Sequence, residues 1–233
     1  MVKIKRKVDT TTNTDSNVIP ITIVIGVVVL FVLLVVYFPK SSVIVPTSDE
    51  IDYPTGITEE GEPFKGEADA SIVLVEFSDF RCSHCSTFTN VIDEISDDYI
   101  KTGKVKVIYR NFPVIGGRRG PSMDAANAAE CVLAQSPELF WRYHDILFGS
   151  QSQGEQAYTR SGLSNIAEGI GLNMDEFEPC FNNNQQIDKV LADIRDGEAL
   201  DVTGTPSVFI GNIRFNKRTA DELRDKFDEL LAE

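Results

Sequence analysis

The chain has 233 residues, 22 of them Lys or Arg and 36 Asp or Glu, which gives a formal net charge of −14. With 42% hydrophobic and 25% charged residues, it has the composition of a globular protein, not that of a disordered or collagen-like chain. Its acidity argues against nucleic-acid binding, which needs Lys and Arg facing the phosphates. Four cysteines are too few for a small scaffold built on disulfides.

A basic stub, residues 1–17, precedes an uncharged apolar segment, residues 18–38. An apolar helix of this length covers about 30 Å, the thickness of the hydrocarbon core of a bilayer. We therefore predict a transmembrane anchor at 18–38. A cleaved signal peptide is the alternative, but its apolar region is usually shorter and ends at a small-residue cleavage site, which residues 39–43 lack.

The charges around this segment predict its orientation. Basic residues flank it on the N-terminal side, so the positive-inside rule places the stub in the cytoplasm and the remainder outside, as a single-pass protein of the cell membrane. Four basic and two acidic residues precede the span, which leaves 18 basic and 34 acidic residues beyond it, a net charge of −16. All four cysteines lie on the outer side, where disulfides form and persist.

Residues 39–65 have the composition of a tether. They contain four prolines and six acidic residues, with no sustained hydrophobic period. Chains of this kind stay extended, so we predict an extracytoplasmic linker, in which a short strand near residues 42–45 remains an open alternative.

From residue 66 to residue 233 the pattern becomes that of one compact domain. Ile72–Phe77 is a short apolar run rich in branched residues, typical of a strand buried on both faces. A helix over 82–101 and a strand over Val105–Phe112 follow. The rest is predicted as a mostly helical block, a short hairpin and a closing helix: Pro121–Gln135, Pro137–Phe148, Ser161–Gly169, Met174–Leu200, Ser207–Gly211 with Ile213–Phe215, and Thr219–Leu231.

The strongest chemical signal is Cys82-Ser83-His84-Cys85, at the start of a predicted helix directly after a predicted buried strand. This placement suits dithiol–disulfide exchange. Cys82 is the expected exposed nucleophile, because N–H groups at a helix start stabilise a thiolate. Cys85 lies one turn further in, and the His84 side chain or an adjacent N–H can stabilise the anion further. A stabilised thiolate favours the reduced form, which indicates an oxidase.

Two other interpretations of the cysteine pair need weighing. Half of a zinc site would require two further ligands, which Cys131 and Cys180 could supply only if the fold brought all four together. A purely structural disulfide across two such closely spaced cysteines would be strained and easily reduced.

A second signal lies far downstream, at Thr203-Gly204-Thr205-Pro206, before the apolar run Val208–Ile210. A proline that enters a strand after a turn containing glycine is a candidate for a cis peptide bond. Alone this signal is weak, since many X–Pro bonds simply begin strands.

Three segments together resemble the DsbA-like thiol–disulfide oxidoreductases, in the order and spacing of that family. They are VEFSDFRCSHC, the helical stretch with AANAAECVLA and LFWRYHDILF, and VTGTPSVFIGN. The resemblance implies an α/β thioredoxin-like fold with a helical domain inserted at about residues 114–200. It further implies a four- or five-stranded mixed sheet, with Pro206 in cis beside Cys82 and Cys85.

The resemblance also assigns roles to residues outside the cysteine motif. Thr205 is expected to present its backbone to the substrate chain and to tune the dithiol. The buried acid of the family falls on Glu76, which could transfer the proton of Cys85, and burial would raise its pKa. A solvated Glu76 at a sheet edge is the alternative. Many strong oxidases of the family have Pro where this chain has Ser83, and here the sequence departs from the family pattern.

The second cysteine pair, Cys131 and Cys180, lies on neighbouring helices of the predicted insertion. Two such cysteines in an exported domain are expected to form a structural disulfide, and a redox relay to Cys82 is the alternative. The aromatic residues around Trp141, together with His144, recur at helical spacing and are interpreted as core. We expect no cofactor and no metal.

Taken together, the sequence predicts a membrane-anchored oxidase that introduces disulfides into unfolded or reduced exported proteins. By resemblance, its reoxidant is a quinone-linked membrane protein of the DsbB or vitamin K epoxide reductase type. A disulfide reductase or isomerase, and a thioredoxin-like module that only binds, remain open alternatives.

Overall fold

The computed structural model describes residues 51–117 and 119–233, together with Ile23, Gly26 and Leu30. Those three residues are helical and exposed. The stub at 1–17, the rest of the predicted anchor at 18–38 and the first part of the predicted linker lie outside the described residues. Among the residues described, no helix is both long and apolar enough to cross a membrane.

A six-stranded sheet, in the order β1-β2-β4-β3-β5-β6, forms the centre of the fold. Strands β3 and β4 are parallel and every other neighbouring pair is antiparallel. The central strand β3 is the predicted apolar run, and its Leu74 is fully buried. The strands are β1 (Thr55–Ile57), β2 (Pro63–Lys65), β3 (Ile72–Ser78), β4 (Val105–Asn111), β5 (Ser207–Ile210) and β6 (Ile213–Phe215).

The first two strands correct two expectations. Within the described residues the sheet has six strands instead of four or five, and the chain joins the fold before residue 66, since β1 pairs with β2 and β2 with β4. Phe64 and Lys65, placed in the linker by the sequence, are both buried. Strands of three residues are too short to show an alternating pattern, and the surrounding prolines and acidic residues conceal them.

Two helices cover one face of the sheet. Helix α1 (Ser83–Ile95) continues into a π-helical turn, Ser96–Ile100, and α7 (Ala220–Leu231) begins with a capping box between Thr219 and Glu222. Alternate strand residues point towards these helices and form one apolar cluster with them. That cluster includes Ile72, Leu74, Val105, Val107, Phe88, Ile92, Tyr99, Leu223 and Phe227.

The helical insertion lies between β4 and β5, within the predicted limits. Its helices are α2 (Pro121–Leu133), α3 (Pro137–Gly149), α4 (Arg160–Gly169), α5 (Met174–Asn182) and α6 (Ile187–Ala199), with a 3₁₀ segment, Ser150–Tyr158, after α3. The predicted helical stretch Met174–Leu200 is divided because Asn184 takes a left-handed conformation, with φ of 52°. Trp141 and His144 are buried in α3, as expected of core residues.

Helix α6 packs against the opposite face of the sheet. Phe77 of β3 and Phe209 of β5 meet edge to face there, with ring centroids 5.9 Å apart, and Ile194 of α6 belongs to the same apolar cluster. The sheet therefore lies between α1 and α7 on one side and α6 on the other, and residue parity along β3 decides which side a group faces.

Candidate active site

The cysteine motif lies at the start of α1, directly after the short turn that follows β3. Cys82 is the N-cap residue of α1, and the backbone N–H of Cys82 donates to the Asp79 carbonyl. The buried Asp79 carboxylate accepts hydrogen bonds from the N–H groups of Arg81, Val114 and Ile115, at 2.9, 2.8 and 2.9 Å. This one side chain therefore joins the turn to the loop after β4.

Cys82 and Cys85 are free thiols. Cys82 is 8% exposed and Cys85 is fully buried. The expectation of an exposed nucleophile is thus corrected: Cys82 is largely covered, although it is the more accessible of the two sulfurs.

The surroundings push the pKa values of the two thiols apart. A hydrogen bond from the Cys85 thiol is the main cause of a lowered pKa at Cys82, and the backbone N–H groups of Cys85 and His84 act in the same direction, against the effect of burial. Burial raises the pKa of Cys85, as do the Cys82 sulfur and the charge of Glu76. The arrangement favours a thiolate on Cys82 and a proton on Cys85.

Thr205 and Pro206 lie beside this pair. The Thr205–Pro206 peptide bond is cis, and the Sγ of Cys82 lies 3.5 Å from the Thr205 carbonyl oxygen. The sheet register explains the proximity, because Ser207 of β5 pairs with Phe77 near the end of β3. Residues just before β5 therefore meet the turn just after β3, although more than 120 positions separate them in sequence.

Glu76 is buried under the same helix start. It has the parity of Leu74 on β3, so it faces α1, and it is 3% exposed, which excludes a solvated edge position. Its Oε1 has no hydrogen-bond partner among the described residues. Burial raises the pKa of Glu76 to about 7, opposed by the Ser78 hydroxyl and by the charge of Lys65. A carboxyl group with this pKa can accept or release a proton near neutral pH.

Sequence reasoning missed Lys65, a buried lysine next to Glu76. Its Nζ lies 3.4 Å from Asp93 Oδ1 and 5.0 Å from the centre of the Trp141 ring. A small cavity of about 10 Å³, enough for roughly one water molecule, is lined by both Lys65 and Glu76. No signal in the sequence could place Lys65 here, because β2 was not recognised as a strand.

His84 is exposed in the first turn of α1. Its backbone N–H is one of the groups that stabilise the Cys82 thiolate. A contribution from its imidazole stays a prediction.

Cys131 of α2 and Cys180 of α5, 49 positions apart in the sequence, form a disulfide. These two sulfurs are therefore bonded to each other and cannot complete a zinc site with Cys82 and Cys85. In the described ranges, no group of three or more His, Cys, Asp or Glu side chains is arranged to hold a metal ion.

Comparison with known proteins agrees with this geometry. A family model described as Thioredoxin matches residues 58–229. Probable disulfide bond formation protein D of Bacillus anthracis is 32% identical over 153 residues, which cover 64% of this chain and 69% of that protein. Disulfide bond formation protein D of Bacillus subtilis is 26% identical over 175 residues, covering 73% and 78%. The chain belongs to the thioredoxin family, among the DsbA-like thiol–disulfide oxidoreductases.

A solved structure extends the comparison of this DsbA-like chain to three dimensions. The crystal structure of oxidised BdbD from Bacillus subtilis superposes with a TM-score of 0.69 at 25% identity, covering 78% of this chain and 100% of that one. The common fold includes the helical insertion. As in other DsbA-like enzymes, turnover implies substrate proteins and a partner that restores the active redox state.

Proposed function

We propose that this DsbA-like enzyme introduces disulfides into exported proteins, with Cys82 and Cys85 as the exchanging pair. The geometry at Cys82 carries the proposal. Its sulfur lies at the N-terminus of α1, and its pKa is lowered by the Cys85 thiol and by the backbone N–H groups of His84 and Cys85. This environment stabilises the thiolate that leaves when a mixed disulfide is resolved.

The reaction starts from the oxidised pair. A substrate thiolate attacks Cys82 Sγ, the Cys82–Cys85 bond breaks, and Cys85 leaves as a thiolate. Because the pKa of Cys85 is raised, it takes up a proton, and Glu76 is the acid buried beside it. A second substrate thiolate then attacks the substrate sulfur of the mixed disulfide and releases Cys82 as a thiolate. The substrate gains a disulfide, and the enzyme keeps two electrons as the reduced pair.

The stabilised thiolate also favours this direction. Whatever lowers the free energy of the reduced pair makes its disulfide a stronger oxidant. A reductase would need the opposite balance, with the reduced pair destabilised relative to the disulfide.

The cellular setting is part of the proposal. The uncharged segment at 18–38 would anchor the chain in the cell membrane with residues 1–17 in the cytoplasm, and the acidic domain would act outside. Its substrates would be unfolded or reduced exported proteins. A quinone-linked membrane partner of the DsbB or vitamin K epoxide reductase type would accept the electrons. The Cys131–Cys180 disulfide, buried between α2 and α5, would stabilise the insertion without exchanging.

The reduction potential of the Cys82–Cys85 pair, measured in the full chain against glutathione buffers, tests the direction. We expect a value of about −120 mV, typical of a strong oxidase. A value of about −270 mV would contradict the proposal in favour of a reductase.

A matched variant tests whether the pair is used at all. Cys82→Ser should abolish oxidation of a reduced model protein, whereas Cys131→Ala with Cys180→Ala should retain it. If Cys82→Ser left thiol oxidation unchanged in cells, a module that only binds would be the better description.

A further inference from the structure

The 3₁₀ segment Ser150–Tyr158 of the helical insertion lies against the turn that carries Cys82. The Gln151 side-chain amide donates two hydrogen bonds through its Nε2, to the Phe80 carbonyl at 2.9 Å and to the Cys82 carbonyl at 3.0 Å. The Tyr158 hydroxyl also lies 3.0 Å from the Phe80 carbonyl oxygen. The turn is thus held from the insertion as well as from the sheet.

The Cys82 carbonyl is the group that starts α1. It accepts hydrogen bonds from the N–H groups of Cys85 and Ser86, both at 3.1 Å, while the Cys82 side chain makes no capping bond to the helix. Cys82 has an extended backbone, with φ of −79° and ψ of 119°. The direction of its carbonyl fixes ψ, and with it the position of Sγ relative to the first N–H groups of α1.

A third donor on this carbonyl therefore acts on the sulfur. Gln151 lies outside the helix and donates to the Cys82 carbonyl and to the Phe80 carbonyl through the same nitrogen. The carbonyls on either side of Arg81 are therefore held together. Arg81 itself forms an ion pair with Glu155 of the same segment. Because the Glu155 side chain is exposed, this ion pair contributes little to holding the turn. The Gln151 amide is therefore the stronger contact between the 3₁₀ segment and the turn.

We propose that Gln151 is a positioning residue for Cys82, holding the sulfur over the N-terminal N–H groups of α1 by way of the Phe80 and Cys82 carbonyls. The inference rests on the proposed role of Cys82 as the nucleophile. It assigns the helical insertion a direct part in the reactivity of the thiol. Without this contact the turn keeps its bonds to Asp79 but gains freedom at the Cys82 carbonyl.

The chemistry of the side chain defines the test. Gln supplies an NH₂ group that donates, whereas Met has similar length without donors and the carboxylate of Glu only accepts. In Gln151→Met, we expect the pKa of Cys82 to rise by up to about one unit, the equivalent of one lost hydrogen bond. Thiolate exchange with a disulfide at acidic pH should slow about three- to ten-fold. Gln151→Glu should show a larger change, since its charge faces two carbonyl oxygens.

Thiolate absorbance and the pH dependence of iodoacetamide alkylation of the reduced full chain measure these shifts. Gln153→Met is the matched control: the residue is exposed on the same segment, and its change should leave both measurements as in the wild type. Should Gln151→Met fail to fold, Gln151→Lys keeps donors at this position, and its pKa for Cys82 should stay at or below the wild-type value.

Two outcomes would overturn the inference. An unchanged Cys82 pKa in folded Gln151→Met and Gln151→Glu would remove the positioning role, with the proposed function intact as long as Cys82→Ser is inactive. An elevated pKa in Gln151→Lys equal to that in Gln151→Met would also contradict it, because the donors would then be irrelevant. Activity retained in Cys82→Ser would instead count against the proposed function itself.

Discussion

Two buried sites, one with a single acid and one with three, each contain a lysine and differ in how their carboxylates are paired. The first, the Glu76 site, consists of Glu76, Lys65 and the small cavity between them. The second, the Asp193 cluster, contains the buried carboxylates of Glu62, Glu130 and Asp193. Their partners are Arg110 and Asn111 of β4 and Lys189 of α6. Both bury negative charge at a considerable cost, and both contain a carboxyl group with a raised pKa.

The Asp193 cluster is closed by its own partners. Asp193 accepts the Asn111 N–H at 2.9 Å and lies 2.6 Å from Lys189 Nζ, which also lies 2.7 Å from Glu62. Glu130 accepts from the Asn111 side chain at 2.6 Å. Each carboxylate therefore has a cation or an N–H group against it, and the cluster joins α2 and α6 to the end of β4.

The Glu76 site is left open. Lys65 Nζ lies 3.4 Å from Asp93 Oδ1. Glu76 has one oxygen without a hydrogen-bond partner among the described residues, next to the cavity and close to the buried Cys85. A cluster in which every carboxylate lies against a cation or an N–H group stabilises one structure, whereas an acid with a free oxygen can change its protonation during a reaction. The contrast separates an acid suited to proton transfer from acids that hold the fold together.

Removing the lysine of the Asp193 cluster should have the largest effect. In Lys189→Met, Glu62 and Asp193 lose their shared cation, and we expect a loss of about 3 to 5 kcal/mol in the free energy of unfolding. Urea denaturation measures this loss. Lys226→Met is the control, since that lysine pairs on the surface with Glu229 and its change should stay within about 0.5 kcal/mol. Equal effects in the two variants would contradict a structural role for the cluster.

The same cluster should make stability depend on pH. Burial raises the pKa of Glu62 to about 7 and that of Glu130 to about 8, so the folded state holds more protons than the unfolded state above about pH 4.5. Their contribution is therefore complete below that pH and is lost as the pH rises through 7 and 8. We expect the free energy of unfolding to fall by about 2 kcal/mol or more between pH 5 and pH 8.5.

Glu130→Gln isolates this pH effect. Gln can still accept the hydrogen bond from Asn111 but does not ionise. The free energy of unfolding should therefore fall less steeply with pH, by the amount that Glu130 contributes in the wild type. A slope identical to that of the wild type would show that Glu130 does not titrate in this range.

Glu76→Gln should act on chemistry more than on stability. We expect the step in which Cys85 gains or loses its proton to slow about 10- to 100-fold at pH 7, at or below the lower limit of general acid–base catalysis. Rapid-mixing fluorescence of Trp141, the single tryptophan of the chain, can follow the step. The inflection near pH 7 that Glu76 gives to the pH dependence of this rate should disappear as well. As a control, Glu130→Gln should leave the rate unchanged. If both variants slowed it equally, the two sites would not differ in role.

The sequence was most informative where one residue type permits few alternatives. The apolar run of β3, the cysteines at the start of α1 and the proline before β5 each restrict the local backbone or chemistry, and the structure brings these three segments together. The helical insertion was likewise visible from its periodicity and from prolines that tolerate a first helical turn.

What the sequence hid are contacts made by ordinary polar residues over long separations. Lys65, Asp79 and Gln151 belong to common residue types, and their importance comes from where the backbone places them. Gln151 meets carbonyls 69 and 71 positions away. The three-residue strands β1 and β2 offered no periodicity, so the buried position of Lys65 could not be inferred.

Strands β1 and β2 belong to the sheet although they precede residue 66, and this restricts where the chain can be truncated to separate the domain from its predicted anchor. A soluble fragment cut at residue 66, where the sequence pattern becomes compact, would discard Glu62 and Lys65 together. The Asp193 cluster would then lose an acid, and the Glu76 site would lose its cation. Even when folded, such a fragment should show an altered proton affinity at Glu76. A fragment beginning at or before Ile51 keeps both, and comparison of the two would show how far the N-terminal strands tune the thiols.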